Sequence, residues 1–166
     1  MSAGIKTATS DTIALREATE KDARLLFAWL NQTDSLAGKL ATEQPVPWEE
    51  HRRWYRKRLQ LRNCFIYIIE MDGHPCGQIR FEDKGEGLEI DIYLQCEHRR
   101  TGVAETALQQ GLGRVARGDS AQKLIARVLK TNEISAAFFV KSGFTEIAEV
   151  SGTRVFTFNL PPKEAS

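Results

Sequence analysis

The chain is poor in cysteine: Cys64, Cys76 and Cys96 are odd in number, far apart and include no C-x-x-C pair. That excludes a disulfide framework and leaves no zinc-binding spacing, so all three are expected to be reduced thiols and no metal is expected. A nucleophilic cysteine served by His51, His74 or His98 has no local signature in its favour. No apolar run approaches the roughly 20 residues that cross a bilayer, and "MSAGIKTATSDT" lacks the apolar centre of a secretory signal. No membrane partner is expected, and the cytoplasm is the expected location. Neither sign of charge prevails, because 23 Lys and Arg stand against 22 Asp and Glu, and the net charge of +1 offers no global field for nucleic acid. What is present is 42% hydrophobic and 27% charged residues in a chain of 166, the make-up of one soluble domain. We assign that domain to residues 12–160, with polar tails at 1–11 and 161–166.

Local patterns divide the domain. "TIALREA" alternates as a first strand, and Thr19 followed by Asp22 has the form of a capping box opening a helix to Leu30. That helix is expected to bury Leu25, Leu26, Trp29 and Leu30. A polar connection with Gly38, Pro45 and Pro47 leads to a second helix from Trp48 to about Leu61. "CFIYIIEM" and "PCGQIRFE" are β-rich runs joined by Asp72-Gly73, a dipeptide suited to a tight hairpin turn. In "LEIDIYLQ" the residues Leu88, Ile90, Ile92 and Leu94 share one face of a fourth strand, and Glu89, Asp91, Tyr93 and Gln95 share the other, polar one. Thr101 to Arg117 reads as a helix ended by Gly118, "KLIARVL" as a buried strand, Glu133 to Ser142 as a helix and "TRVFTFNL" as a closing strand. The predicted class is α+β with a mostly antiparallel sheet.

The junction "LQCEHRRTGVAETAL" sets Arg99, Gly102 and Ala104 in an R-x-x-G-x-A pattern where a strand gives way to a helix. The first turn of a helix offers unpaired N–H groups and the positive end of the dipole, and the small residues let a diphosphate approach the backbone. Arg99 or Arg100 can add a charge-assisted contact. Downstream, "KTNEISAAFFVKSGFTEI" carries Asn132, Ser135, Lys141, Gly143 and Phe144 in an N-x-x-[AS]…K-x-G-F order. By these two motifs the chain resembles the GNAT superfamily of acyl-CoA-dependent N-acetyltransferases, over roughly Ile13 to Leu160.

The resemblance implies a GNAT fold: a mixed, mostly antiparallel sheet of six to seven strands flanked by about four helices and splayed between strands 4 and 5. It implies acetyl-CoA as co-substrate, with pantetheine bonded to the backbone of Leu94, Gln95 and Cys96. The diphosphate would lie over Arg99, Arg100, Thr101, Gly102, Val103 and Ala104. Asn132, Ser135 and Lys141 would complete the cofactor site, with Phe138 and Phe139 packed against the arm. Glu89 corresponds to the carboxylate that several GNAT enzymes use as base, with Asp91 as the second candidate. Many members hold a tyrosine at the position of Phe139 to protonate the departing thiolate. A phenylalanine cannot do so, and Tyr93 is the nearest substitute by position.

The acceptor half, "LFAWLNQTDSLAGKLATEQPVPWEEHRRWYRKRL" with "HPCGQIRFE", is similar to bacterial GNAT enzymes that acetylate amino groups of nucleotide-linked sugars. Such an acceptor carries a diphosphate for arginines, hydroxyls for Asn31 and Gln78, and a flat base for Trp48 or Trp54. Arg80 is the preferred polar contact, and His51 a further candidate. One arginine usual after the tryptophan of the first helix is Leu30 here. Alternatives are acetylation of a protein N-terminus, a ribosomal protein or another small amine, and a CoA-binding sensing module without turnover. Arg52 to Arg62 contains six basic residues, read first as solvated charge, next as a phosphate contact and last as a nucleic-acid contact. The pattern allows a homodimer.

Overall fold

The structure, a computed structural model, describes residues 12–32, 44–116 and 122–162. Gly38, Arg117, Gly118 and both outer tails except 161–162 lie outside those residues. The elements are β1 (Ile13–Glu17), α1 (Ala23–Leu30), α2 (Trp48–Gln60), β2 (Cys64–Met71), β3 (His74–Asp83) and β4 (Leu88–Leu94), then α3 (Val103–Val115), β5 (Gln122–Leu129), α4 (Glu133–Lys141), β6 (Thr145–Val150) and β7 (Thr153–Leu160). One seven-stranded sheet runs in the order β1-β2-β3-β4-β5-β7-β6. Among the described residues only β4 and β5 pair in parallel.

The start of α1 follows its sequence signal in a modified form. The Thr19 N–H donates to Asp22 Oδ2 at 2.9 Å, but the first turn, Glu20–Asp22, is a 3-10 turn and the α-helix begins at Ala23. Asp22 is held from its other side by a bidentate pair with Arg16, at 2.8 and 2.9 Å, which keeps its carboxyl below the usual carboxylate range. The hairpin turns at Asp72 and Gly73 with φ of 50° and 81°, as the dipeptide predicts.

Two apolar clusters sandwich the sheet. The larger gathers Leu15, Tyr67, Ile79, Phe81, Leu124 and Phe156 beneath α3 and α4, which contribute Leu108, Val115 and Phe139. The smaller joins Ile66 and Ile68 to Leu26 and Trp29 of α1 and Tyr55 of α2. Each fully buried Leu, Ile or Phe contributes about 1.5–3 kcal/mol, so the sheet is covered on both faces rather than exposed on one. This corrects the reading of β4 as having a purely polar face, because Tyr93 is buried in the smaller cluster. Leu25 and Leu30 of α1 are only partly buried.

The sixth strand is absent from the strand pattern read in the sequence. In "TEIAEV" every residue but Ala148 is exposed, so no alternation of buried side chains marks it. It forms the sheet edge beside β7, where Arg154 holds Glu146 at 2.7 Å across the pair.

Candidate active site

Strands β4 and β5 pair through only two positions, Leu88↔Leu124 and Glu89↔Ile125. Beyond Glu89 the strands part, while β4 stays in continuous register with β3 from Leu88↔Asp83 to Leu94↔Gly77. The wedge between them opens into a cleft of about 820 Å³, inside the range of about 300–1,000 Å³ typical of small-molecule sites.

The wedge exposes main chain. The Gln95 N–H donates to Cys76 O of β3 at 2.9 Å, and main-chain groups alternate in direction along a strand. Ile92 and Leu94 therefore turn their N–H and C=O away from β3, toward the side that β5 has left. The Leu94 carbonyl accepts from Arg99 Nε at 2.8 Å, which ties the loop after β4 to the strand's end. Close approach on the other side is permitted by Gly77, where a Cβ would stand 2.2 Å from the Tyr93 carbonyl. Of the three backbones expected to meet pantetheine, Leu94 lines the cleft, whereas Gln95 and Cys96 do not, and the Gln95 N–H is spent on the sheet.

The loop then turns left-handed at Arg100, with φ of 59°, and at Gly102, with φ of 86°. Gly102 is the N-cap of α3 and supplies no side chain to cap it, so the first-turn N–H groups lack intrahelical partners at the cleft wall. A Cβ added at Gly102 would meet no protein atom within 4 Å. Uncapped amides, a positive helix end and open space over a glycine fit a diphosphate-bearing ligand. Arg99, Arg100 and Ala104 line the same wall, while Thr101 and Val103 do not.

The opposite wall is α4. Asn132 caps it, accepting from the Ser135 N–H at 3.2 Å, and still faces the cleft. Ser135, Phe138 and Phe139 line it, with Phe139 also packed on Phe144 and Phe156. Lys141 reaches across to Glu105 of α3 at 3.8 Å. Glu105, Arg127 and Ile92 are cleft residues that sequence reasoning missed. Arg127 was visible in principle, as the one charge inside "LIARVL".

On the α1–α2 side of the sheet the candidate catalytic groups separate. Asp91 lines the cleft and accepts from Gln78 Nε2 at 2.8 Å. Glu89 does not line it; it sits where β4 and β5 still pair, between Lys84 at 3.4 Å and Arg127 at 3.5 Å. Tyr93 lines the cleft, donates its hydroxyl to Gln32 Oε1 and lies under the Arg99 guanidinium. The continuous register leaves it on the same strand face as Asp91.

Of the expected acceptor contacts, Gln78 and Arg80 share this face, Arg80 opposite Asp91 and with its guanidinium 4.9 Å from the Trp54 ring centre. Asn31 is used otherwise: its side-chain amide donates to Val46 O at 3.0 Å and accepts from Val46 N–H at 2.8 Å, clamping the chain ahead of α2. Trp48 lines a separate hollow, and neither Asn31 nor His51 borders the cleft. His51 is 3% exposed, stacked on Tyr55 and Trp54, with Nε2 3.2 Å from Ala23 O and Nδ1 without a partner.

Burial pushes the His51 pKa below its ordinary value, despite the Ala23 carbonyl. Near and below pH ~6.5 the unfolded chain takes up a proton that the folded chain refuses, so stability is full above that pH and falls as pH drops. Denaturant titrations are expected to show a loss of up to about 1.4 kcal/mol per pH unit below pH ~6.5. His51→Phe should flatten that slope; an unchanged slope would assign it to another group.

Among the described residues no cluster of His, Cys, Asp and Glu is placed to hold a metal, and no helix is long and apolar enough to cross a membrane. No curated protein matches the chain by sequence. Solved structures do match in shape. Spermidine N-acetyltransferase from Vibrio cholerae, in complex with CoA and spermine, superposes with a TM-score of 0.72 at 16% identity, over 89% of this chain and 94% of that one. AAC(6')-Ib, in complex with ribostamycin and coenzyme A, gives 0.73 at 20% over 91% and 94%. A ribosomal-protein alpha-N-acetyltransferase in complex with coenzyme A gives 0.76 at 17% over 93% and 97%. At such identities the likeness shows the fold. The family model described as an acetyltransferase (GNAT) domain matches residues 12–145, most of the domain including β4, the parted wedge and α3, and the chain belongs to the GNAT acetyltransferases.

Proposed function

We infer that this protein transfers an acetyl group from acetyl-CoA to a primary amine of a small phosphate-bearing molecule, a nucleotide-linked amino sugar being the favoured acceptor. The observation that carries the reading is the parting of β4 from β5 after Glu89, which opens the cleft onto the uncapped start of α3. Acetyl-CoA supplies the activated thioester. The backbone of Ile92 and Leu94 and the first turn of α3 hold it, and Asn132 and Phe138 close the other wall.

Asp91 receives the proton of the incoming amine: of the two carboxylates on the cleft wall, Glu105 lies on α3 beside Lys141, whereas Asp91 lies on β4 just past the parting from β5, with Gln78 fixing its orientation. The proton for the departing thiolate comes from solvent, since Phe139 has no hydroxyl and Tyr93 is engaged with Gln32. A polyamine acceptor needs free carboxylates. Here Glu82 is held by Arg58 at 3.0 Å and by Arg80 at 3.8 Å, Glu89 by two cations, Glu105 by Lys141 at 3.8 Å and Asp91 by Gln78.

Incubation with acetyl-CoA and a panel of UDP-amino sugars, polyamines, aminoglycosides and free-N-terminal peptides tests this. Thiol release together with a one-acetyl mass gain on a UDP-amino sugar is expected. Acetylation confined to another panel member would reassign the acceptor. Silence across the panel with CoA bound would select the sensing-module reading, which Phe139 favours.

A further inference from the structure

A second hollow, of about 170 Å³, lies between the start of α1 and the outer side of α2, apart from the acetyl cleft. At that size it admits a charged group rather than a whole ligand. Lys21, Arg24, Arg52 and Arg56 line it, around the ring of Trp48, and among the described residues Glu20 is the one carboxylate on its wall. Arg56 takes that carboxylate at 3.1 Å. Among the described residues Arg52 reaches only Glu49, at 3.8 Å, and Lys21 and Arg24 have no anionic partner.

Arg24 is set in place nonetheless. Its guanidinium carbon lies 3.7 Å from the centre of the Trp48 ring, and that ring is braced edge-on by Phe27 at 5.2 Å. A stacked guanidinium keeps its N–H edges free and has already given up much of its side-chain entropy, which is the preorganisation an oxyanion exploits. Excess cations gathered against an aromatic wall repel one another until an anion arrives. Because Arg24 already covers one face of the indole, that face is closed to a nucleobase.

We propose that this hollow binds a phosphate or diphosphate group of a small molecule. The acyl chemistry does not use it, and none of its lining residues borders the acetyl cleft. The phosphate has two sources, the acceptor itself or a separate effector.

The test uses the full chain, first saturated with CoA so that the loop before α3 is filled. Inorganic pyrophosphate is titrated at constant ionic strength while the tryptophan indole N–H resonances are followed. A saturable shift of Trp48, with buried Trp29 unmoved, is expected. Replacing both Arg24 and Arg52 with alanine should weaken it by about tenfold or more. Arg53→Ala, on the same helix and exposed, should change it by less than about twofold. Competition by pyrophosphate that raises the acceptor KM assigns the phosphate to the acceptor, and binding that leaves that KM unchanged assigns it to an effector. A non-saturable response, or equal weakening by Arg53→Ala, overturns the proposal. If CoA itself fails to bind, the acetyltransfer reading fails in that titration, while the Trp48 resonance still decides this one.

Discussion

Asp91→Asn is expected to lower kcat by roughly a hundredfold to ten-thousandfold, the range for losing a positioned general base, while leaving CoA affinity unchanged. Asparagine keeps the shape of the side chain and an oxygen that can accept from Gln78 Nε2, so the hydrogen bond at 2.8 Å survives and only the capacity to take a proton is lost. Folding stability should therefore move little. Glu89→Gln is the companion variant. Glu89 lies outside the cleft and is held by Lys84 and Arg127, so removing its charge loosens Arg127 on the cleft wall without removing a group that meets the amine. We expect it to cost about tenfold or less, the scale of a partly exposed ion-pair network. Steady-state thiol release, with calorimetric CoA binding as the control, separates the two. A large loss for Glu89→Gln beside an active Asp91→Asn would return the base role to Glu89.

That contrast shows where sequence reading ends. Alternation in "LEIDIYLQ" places Glu89 and Asp91 on one strand face, and it does so correctly. Which of them meets the cleft depends on where β5 leaves β4, and the parting after Glu89↔Ile125 is written in the path of another strand. The shape of the loop between β4 and α3 was legible because its features are local: a strand end, a glycine at positive φ and a helix start lie within a few residues. Asn132, Ser135 and Lys141, one local motif, border the same cleft.

The acceptor side was less so. Asn31 has the chemistry of a ligand contact, but its amide is consumed by the Val46 backbone, a partner 15 residues away that composition does not mark. His51 lies at the same helical spacing as Trp48 and Tyr55, and it joins them in packing rather than at the cleft. The edge strand β6 escaped because its residues are exposed on both faces, so the period of two carries no hydropathy contrast there.

Gly102→Leu is expected to weaken CoA binding by about a hundredfold, close to 2.8 kcal/mol, and separately to destabilise the fold. At φ of 86° any residue with a Cβ strains the backbone, by about 1–2 kcal/mol. That strain alone should lower the melting temperature by about 2–8 °C. The loss of affinity comes from occlusion: no atom outside the flanking backbone stands within 4 Å of a Cβ at this position, so a leucine side chain projects into the open space over the first turn of α3. Gly102→Ala carries the same backbone strain with one methyl group, and the difference between the two variants isolates the space taken. Alanine should match leucine in melting temperature and lose far less CoA affinity. Equal losses of affinity would mean that strain in the loop, rather than a filled cradle, governs binding, and the diphosphate would then have to lie elsewhere than over Gly102.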